Sequence, residues 1–344
     1  MTRRLVIDLA SPRAVWKIPG ERVAQIGAAL GTQWDVVEVR TPSSSDGDGG
    51  SGSPEAIAAA RGAEIYLGYG VPAGVAAAAK GTLRWAHSGT AGVGSSLAHL
   101  SGSGIVLTNS AGVHAEPMAD WVIAAIAYFA RGLDRMVAAQ RDGGGRWAKE
   151  EFTDAGAPVR ELRDLRLGVV GLGGIGSAVA RRGAALGMSL AGVRRRPERG
   201  GPDGARWVAG LEELPRLAAE SDVLVIAAPH TSATAGAVNR SVLERLPCDA
   251  IVINVSRGSL LDETALLDLL DAGRLGGAAL DVFATEPLPA GHAFWRHPRV
   301  LVSPHVSAVT SRFWERETGL IVDNIRRYLA DAPLTNVVDL EAGY

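Results

Sequence analysis

Cysteine is nearly absent from this sequence. The 344 residues include one, Cys248, so no disulfide can form within the chain. Disulfide frameworks are typical of oxidising compartments, and a chain without one fits a reducing compartment. The apolar stretch at the amino terminus is also too short for a signal peptide. We therefore expect a cytoplasmic location.

Long apolar runs and a strong net charge are missing as well. The most apolar internal stretch, WVIAAIAYFARGL at 121–133, is shorter than the roughly 20 residues that span a bilayer, and it predicts a buried helix. A formal net charge of −2 offers nucleic acid or an anionic membrane no electrostatic attraction. The histidines and acids form no cluster with the spacing of metal ligands, so no metal site is predicted.

The sequence does contain alternating strand and helix patterns, over a length typical of two domains. The first series is interrupted by TPSSSDGDGGSGSPEA (41–56), which we interpret as a mobile surface loop. One long helix is predicted over 114–143, followed by a second series of apolar strands typical of a parallel sheet covered on both faces. These patterns predict an α/β protein in which residues 1–112 and 307–344 form a substrate domain and residues 113–306 form a dinucleotide-binding domain.

A glycine-rich turn opens the second series. In VVGLGGIGSAVA, Gly171 permits a tight turn, Gly173 lets a pyrophosphate approach the backbone, and Gly176 lets the helix pack on the strand. The amides of Gly174 and Ile175 would face the phosphates from the helix N-terminus. Taken alone, the pattern also fits a structural turn. The strand, helix and second strand around it favour dinucleotide binding.

Arginines occupy the place where an acidic residue usually binds the adenosine ribose. Arg194 lies about twenty residues after the glycine turn, where that acidic residue is expected, and Arg195 and Arg196 follow it. An acid there would repel a 2′-phosphate, whereas an arginine pairs with it. We predict a preference for NADP(H), with NAD(H) as an alternative cofactor, and expect Arg194 and Arg195 to matter most because Arg196 precedes a proline. The other interpretation is a solvated basic loop.

An arginine, a glutamate and a histidine follow three later strands. Arg257, Glu286 and His305 lie in loops that should meet at one crevice, because the carboxyl ends of parallel strands share one edge of the sheet. The set suits carbonyl reduction by hydride transfer. His305 can supply the proton and Glu286 can orient the imidazole and stabilise its protonated form. Arg257 can bind a carboxylate and polarise the neighbouring carbonyl.

From about residue 80 to 310 the chain resembles the D-isomer-specific 2-hydroxyacid dehydrogenases. The resemblance rests on the order and spacing of GTAGVG, NSAGVHAEPMADWV, GLGGIGSAVA, NVSRGSLLDETAL, GAALDVFATEPLP and SPHVSA. It implies two Rossmann-like domains, with a doubly wound dinucleotide domain inserted into a smaller flavodoxin-like substrate domain. It places Arg257, Glu286 and His305 on the family's catalytic triad. The arginine at 194 resembles that of NADPH-preferring glyoxylate/hydroxypyruvate reductases.

The resemblance also implies binding residues. Asp281 falls on the residue that holds the nicotinamide carboxamide, and Ala91 and Gly92 fall on a loop whose amides hold the substrate carboxylate. Tyr69 has two interpretations, a substrate contact or a packing role. Family members are usually homodimers, and the long helix and RWAKEEF (146–152) would carry that interface. Further cofactor contacts are expected at strand ends, at Pro229, Val255 and Ser256.

We predict an oxidoreductase that transfers a hydride between NADP(H) and a small 2-oxo acid or D-2-hydroxy acid, with glyoxylate and hydroxypyruvate as the expected substrates. Two alternatives remain open. The same fold could act with NAD on another acid, such as a larger 2-oxo acid or phosphoglycerate. It could also be a non-catalytic protein that senses dinucleotides. The sequence does not select among substrates, because side-chain selectivity depends on loop geometry.

Overall fold

The computed structural model describes residues 3–43, 49–142, 147, 149–154, 159–341 and 343. The chain forms two compact units. We call residues 1–114 with 309–344 the terminal unit, and residues 115–308 the central unit. Each unit has its own parallel sheet, which confirms the predicted α/β class with two Rossmann-like folds.

The terminal unit contains a five-stranded sheet with the strand order β2-β1-β3-β4-β5. The strands are β1 (Arg3–Asp8), β2 (Trp34–Glu38), β3 (Ile65–Gly68), β4 (Trp85–Ser88) and β5 (Val106–Asn109). The connecting helices are α1 (Gly20–Leu30), α2 (Pro54–Ala59), α3 (Ala73–Ala78) and α4 (Gly94–Leu100). This is the flavodoxin-like order. Apolar clusters on the sheet make β3 and β4 fully buried.

The central unit contains seven parallel strands in the order β12-β11-β10-β9-β6-β7-β8. They are β6 (Arg166–Val170), β7 (Ser189–Val193), β8 (Ala205–Ala209), β9 (Val223–Ile226), β10 (Ala250–Asn254), β11 (Leu275–Leu280) and β12 (Val300–Val302). The helices are α5 (Ala115–Ala130), α6 (Leu133–Asp142), α7 (Glu150–Thr153), α8 (Gly174–Ala185), α9 (Leu214–Ala219), α10 (Arg240–Leu243) and α11 (Glu263–Asp271). The strand order reverses between β6 and β9, which is where a doubly wound sheet binds its ligand.

The last helix, α12 (Phe313–Leu329), belongs to the terminal unit. It packs against α1, and the segment after it forms an antiparallel bridge from Val337 to Thr108 of β5. The apolar face of α12 is buried through Phe313, Ile321 and Ile325. Both ends of the chain therefore contribute to one core.

Two local predictions were wrong. The single helix predicted over 114–143 is two helices, because Gly132 between α5 and α6 has a φ of +66°, which lies outside the helical range. The prediction also missed β8, a partly exposed edge strand whose five residues, ARWVA, are too few to show a clear alternation.

Two predicted segments lie partly outside the described residues. Residues 44–48 of the Gly- and Ser-rich loop lie outside the described residues. The carboxyl-terminal end of this loop is described: Ser53 caps α2 there by accepting a hydrogen bond from Ala56 N at 3.0 Å. Arg146 and Ala148 of RWAKEEF are also outside, while Trp147 is 85% exposed.

Two features are absent from the part of the chain that the structure describes, a membrane-spanning helix and a cluster of metal ligands. No helix there is long and apolar enough to cross a bilayer. No three His, Cys, Asp or Glu side chains of that part come together in a way that could hold a metal ion.

Candidate active site

The glycine turn follows β6 and begins α8. Gly171 has a φ of +96°, and a Cβ there would lie 2.5 Å from the Ala228 Cα, so both conformation and space require glycine. At Gly176 a Cβ would lie 1.9 Å from the Gly171 carbonyl oxygen. These two glycines let α8 pack closely on β6 and the chain after β9.

Gly173 differs from its two neighbours in the motif. Its φ of −86° suits any residue, and a Cβ there would meet no atom of the protein within 4 Å. Packing therefore does not require glycine at 173, whereas a ligand approaching the backbone would. The exposed Gly174 and the half-buried Ile175 contribute amides from the first turn of α8, where N–H groups lack intrahelical partners. The turn thus fits the pyrophosphate of a dinucleotide.

The arginine loop begins beside this turn. Gly171 N donates to the Val193 carbonyl at 2.8 Å, and Val193 is the last residue of β7. Arg194 follows it and is half-buried, with its backbone N–H bound to the Ala209 carbonyl and its guanidinium Nη1 2.8 Å from the Gly200 carbonyl. Arg195 and Arg196 are exposed. The positive charges therefore lie at the edge of the sheet that carries the glycine turn.

The ends of β9 and β10 carry three of the predicted cofactor contacts. Val255 and Ser256 are buried, and the Ser256 hydroxyl donates to the Ala228 carbonyl. Pro229 is exposed, and its carbonyl accepts a hydrogen bond from Thr234 Oγ1 at 2.6 Å. The Ser256 bond ties the ends of β9 and β10 to one another beside Gly171, and the Thr234 bond closes the turn after β9. The cofactor contacts themselves stay predictions.

Arg257 lies beyond the end of β10, with its side chain exposed and Nη1 2.7 Å from the Ser256 carbonyl. The next residue, Gly258, packs against the loop that follows β11. A Cβ on Gly258 would lie 1.9 Å from the Phe283 carbonyl carbon and 2.1 Å from Ala284 N. This glycine therefore brings the arginine loop directly against the loop that carries Glu286.

Glu286 and His305 form a hydrogen-bonded pair. Glu286 Oε2 lies 2.8 Å from His305 Nδ1, and Oε1 accepts the Phe283 N–H at 2.9 Å. The histidine side chain is 50% exposed and the glutamate side chain 35%. Nε2 of His305 forms no hydrogen bond with any residue the structure describes. Since the carboxylate holds Nδ1, Nε2 is the nitrogen available for proton transfer.

Asp281 organises the loop that carries His305. It is 1% exposed, and its Oδ1 accepts hydrogen bonds from Ser303 Oγ (2.6 Å) and Val306 N (2.8 Å). Oδ2 accepts the Ser307 N–H at 3.0 Å and also the Ser307 hydroxyl. His305 itself has a φ of +56°, which is rare for a non-glycine residue. The carboxylate therefore holds a strained loop, a role that the sequence did not predict for Asp281.

The sequence analysis also did not predict a role in the site for Glu263. Its Oε1 accepts the Ala284 N–H at 2.7 Å, so it holds the loop of Glu286 from the start of α11. Burial raises the pKa of the Glu263 carboxyl, and the nearby Glu286 raises it further. The only signal in the sequence was its place in the segment LLDETAL, where it reads as an ordinary first-turn acid.

Tyr69, Ala91 and Gly92 belong to the terminal unit and follow β3 and β4. The Tyr69 side chain is 7% exposed, lies in the apolar cluster of this unit, and donates its hydroxyl to the Trp16 carbonyl. Of the two roles that the sequence left open, this geometry supports packing.

The loop of residues 90–93 after β4 has its carbonyl groups anchored. The Thr90 carbonyl accepts the Ser110 N–H (3.1 Å), and the Ala91 carbonyl accepts Asn109 Nδ2 (2.9 Å). The Gly92 carbonyl accepts Thr90 Oγ1 (2.7 Å). In a trans peptide the following N–H points the opposite way. The amides of residues 91–93 donate no hydrogen bond within the described residues, so they are available to an anion.

Comparison with known proteins assigns the family. The profile of the D-isomer specific 2-hydroxyacid dehydrogenase, NAD binding domain, matches residues 123–307, which is more than half of the chain. The chain belongs to the D-isomer specific 2-hydroxyacid dehydrogenase family.

Individual relatives agree with this assignment. Glyoxylate/hydroxypyruvate reductase A of Yersinia enterocolitica is 39% identical over 178 residues, which cover 52% of this chain and 56% of the relative. The match thus spans little more than half the length of that relative. A D-isomer specific 2-hydroxyacid dehydrogenase from Xanthobacter autotrophicus Py2, solved with NADPH and MES, is 30% identical with a TM-score of 0.81 over 100% of both chains. An NADPH-dependent glyoxylate/hydroxypyruvate reductase from Sinorhizobium meliloti, solved with NADP and sulfate, is 25% identical with a TM-score of 0.77 over 99% of this chain and 100% of that one.

Proposed function

We propose that this protein reduces small 2-oxo acids to D-2-hydroxy acids with NADPH, with glyoxylate and hydroxypyruvate as its substrates. The observation that carries the proposal is the Glu286–His305 pair at 2.8 Å, together with the packing of the Arg257 loop against the loop of Glu286. The relatives named as glyoxylate/hydroxypyruvate reductases support the choice of substrate.

The three side chains have separate roles in this reaction. When bound, the reduced nicotinamide supplies the hydride that adds to the carbonyl carbon of the substrate. His305 gives the proton on Nε2 to the carbonyl oxygen, and Glu286 stabilises the charged imidazole that precedes this transfer. Arg257 polarises the carbonyl and binds the carboxylate. The backbone amides of Ala91 and Gly92 also bind the carboxylate.

The cofactor preference rests on Arg194. Its backbone is fixed beside the glycine turn, and no acidic residue occupies the first three positions after β7. A guanidinium there pairs with a 2′-phosphate, whereas the 2′-hydroxyl of NAD gives it no charged partner. Two relatives solved with NADPH or NADP support this preference.

The experiment that tests the proposal measures oxidation of NADPH and NADH with glyoxylate, hydroxypyruvate and a panel of larger 2-oxo acids. The wild type should prefer NADPH, and Arg194→Asp should lose roughly tenfold or more in NADPH affinity, since one charged hydrogen bond contributes about 1.5–3 kcal/mol. Arg196→Asp, with the same charge change on an exposed side chain, should keep the preference. Equal use of both cofactors would refute the preference, and inactivity with every acid would refute the activity.

The proposal includes a homodimer in the cytoplasm. The family resemblance supports the dimer, and light scattering should find about twice the chain mass of 35.7 kDa. A monomer at micromolar concentration would contradict this part.

A further inference from the structure

A buried polar network in the terminal unit connects α12 to the loop of residues 90–93. Glu317, near the start of α12, is fully buried, and its Oε1 lies 2.9 Å from His87 Nε2 and 3.0 Å from Ser110 Oγ. His87 is equally buried, with Nδ1 2.8 Å from Thr108 Oγ1. A buried carboxylate is costly unless it is hydrogen-bonded. These partners therefore fix Glu317 through Oε1, while Oε2 is buried and has no hydrogen-bond partner among the described residues.

Ser110 leads from this carboxylate to the loop. Besides Glu317, its hydroxyl reaches the Ser88 carbonyl at 2.9 Å, and its backbone N–H binds the Thr90 carbonyl. Ser88 Oγ lies 2.8 Å from Thr90 Oγ1, which donates to the Gly92 carbonyl. The Ser110 hydroxyl has one hydrogen, which Glu317 Oε1 and the Ser88 carbonyl share. Ser110 and Thr90 thus connect α12 to the peptide plane between Gly92 and Val93.

The orientation of that plane decides which way its N–H points. Carbonyl and N–H of one trans peptide are rigidly opposed, so anchoring the Gly92 carbonyl on the protein side turns the Val93 N–H away from it. In the same way, Ser110 anchors the Thr90 carbonyl and so orients the Ala91 N–H, and Asn109 anchors the Ala91 carbonyl and so orients the Gly92 N–H. An anion held by successive amides needs all of them aligned at once.

We propose that Glu317 is a positioning residue, which holds, through Ser110, Ser88 and Thr90, the peptide planes of the 90–93 loop, and that the Val93 N–H joins those of Ala91 and Gly92 in binding the substrate carboxylate. This rests on the proposed function. Glu317 does not touch the substrate. Its partner Ser110 follows β5, and Ser110 in turn contacts Ser88, the last residue of β4.

The test uses the full-length enzyme and steady-state kinetics. Thr90→Val removes the bond to the Gly92 carbonyl at constant side-chain volume, and should raise KM for glyoxylate about tenfold with kcat changed less, since carboxylate binding is common to ground and transition states. KM for NADPH should stay within about twofold, and Thr90→Ser should restore the wild-type KM because it keeps the hydroxyl. The matched control is Thr82→Val, which removes a 3.0 Å bond from Thr82 Oγ1 to the Ala79 carbonyl and lies before β4, whereas the loop follows β4.

Glu317→Gln tests the remote end of the network. Glutamine keeps an oxygen that can accept from His87 and Ser110 but loses the charge, so it should raise KM for glyoxylate less than Thr90→Val does. The double variant should be less impaired than the product of the two single effects, because both act through one peptide plane. Thr318→Val is its control: the Thr318 hydroxyl on the same helix is fully buried and finds no partner among the described residues. If Glu317→Gln fails to fold, Ser110→Ala replaces it in the cycle.

Crystal structures of Thr90→Val and Glu317→Gln give a readout that does not need turnover. A turned peptide plane at 92–93 is expected in both, and an unchanged plane overturns the inference. If the wild type reduces no 2-oxo acid, the proposed function is wrong, but the two variant crystal structures still test whether Glu317 positions the peptide planes. If Glu317→Gln lowers only the melting temperature and leaves KM unchanged, Glu317 stabilises the core and the inference is wrong.

Discussion

At the scale of the residue, His305 is constrained both at its backbone and at its ring. Its backbone lies in the left-handed region, which costs a non-glycine residue on the order of 1–3 kcal/mol. Asp281 offsets that cost by accepting hydrogen bonds from Ser303, Val306 and Ser307 on both sides of the histidine. Glu286 then fixes the ring through Nδ1. The imidazole is thus held at both its backbone and its ring.

Removing the acid–base group should affect turnover more than binding. We expect His305→Gln to lower kcat for glyoxylate reduction by about 10²- to 10⁴-fold, because proton transfer to the carbonyl oxygen is lost. Glu286→Gln keeps an acceptor for the Phe283 N–H but removes the charge beside the ring, so it should lower kcat less than His305→Gln does. Steady-state kinetics at saturating NADPH measure both. His99→Gln, an exposed histidine of α4, is the control, and an active His305→Gln would exclude this role.

Replacing Asp281 with asparagine should lower both the stability of the protein and its kcat. In Asp281→Asn one side-chain oxygen becomes an NH₂ group that faces donors of the 303–307 loop, and a buried unsatisfied group costs about 1–3 kcal/mol. The variant should therefore be less stable to urea and should also lose kcat, because the His305 loop is released. Ser303→Ala, which removes a single one of these bonds, should show a smaller loss of both quantities. Full activity in Asp281→Asn would contradict the organising role.

At the scale of the element, the glycine turn separates folding from binding. Gly171 and Gly176 are required by the packing of α8 on β6, and Gly173 is not. One motif therefore contains two physical demands, one made by the fold and one made by the ligand.

This separation can be measured with two alanine variants. Gly176→Ala should destabilise the protein by about 1–3 kcal/mol or more, because its Cβ would meet the Gly171 carbonyl. Gly173→Ala should change the free energy of unfolding by less than about 1 kcal/mol. It should nevertheless raise the NADPH dissociation constant roughly tenfold, equivalent to about 1.4 kcal/mol. Chemical unfolding and fluorescence titration give the two quantities. Gly291→Ala, also in open space, controls for the substitution, and unchanged NADPH affinity in Gly173→Ala would count against the ligand demand at 173.

At the scale of the whole molecule, the chain forms two cores. The terminal unit has apolar clusters built from both ends of the sequence, and the central unit has its own clusters around the seven-stranded sheet. The glycine turn, Arg194 and the Glu286–His305 pair all belong to the central unit. Cofactor binding should therefore stabilise that unit first.

Hydrogen exchange can locate this stabilisation. At about 100 times its dissociation constant, NADPH should add roughly 2.7 kcal/mol to the stability of the unit that binds it. Amides of β6, β7 and α8 should exchange more slowly, while those of β1 and β2 in the terminal unit should change least. The 2′-phosphate-free NADH at equal concentration is the control and should protect less. Equal protection of both sheets would mean that the cofactor stabilises the chain as one cooperative unit.

The candidate site was predictable where its signal is local. The positions of Gly171, Gly173 and Gly176 follow from a motif between a strand and a helix, and the structure finds that motif at the predicted edge of the sheet. The pairing of Glu286 with His305 needed parallel strands whose loops meet, which the strand pattern implied. The role of Asp281 in the His305 loop was not predictable, because a single acid at a strand end fits many partners.

The sequence by itself determined the α/β class, most of the strands, the glycine turn and the candidate catalytic side chains, since periodicity and turn chemistry are properties of short segments. Only the tertiary structure decided that the Tyr69 hydroxyl bonds the Trp16 carbonyl, that Gly132 divides a helix, and that Glu317 meets His87. The last two residues are 230 positions apart, and nothing local to either encodes the other. Their contact exists because α12 returns to the sheet of the first strands, where a buried carboxylate can remain only beside groups that bind it.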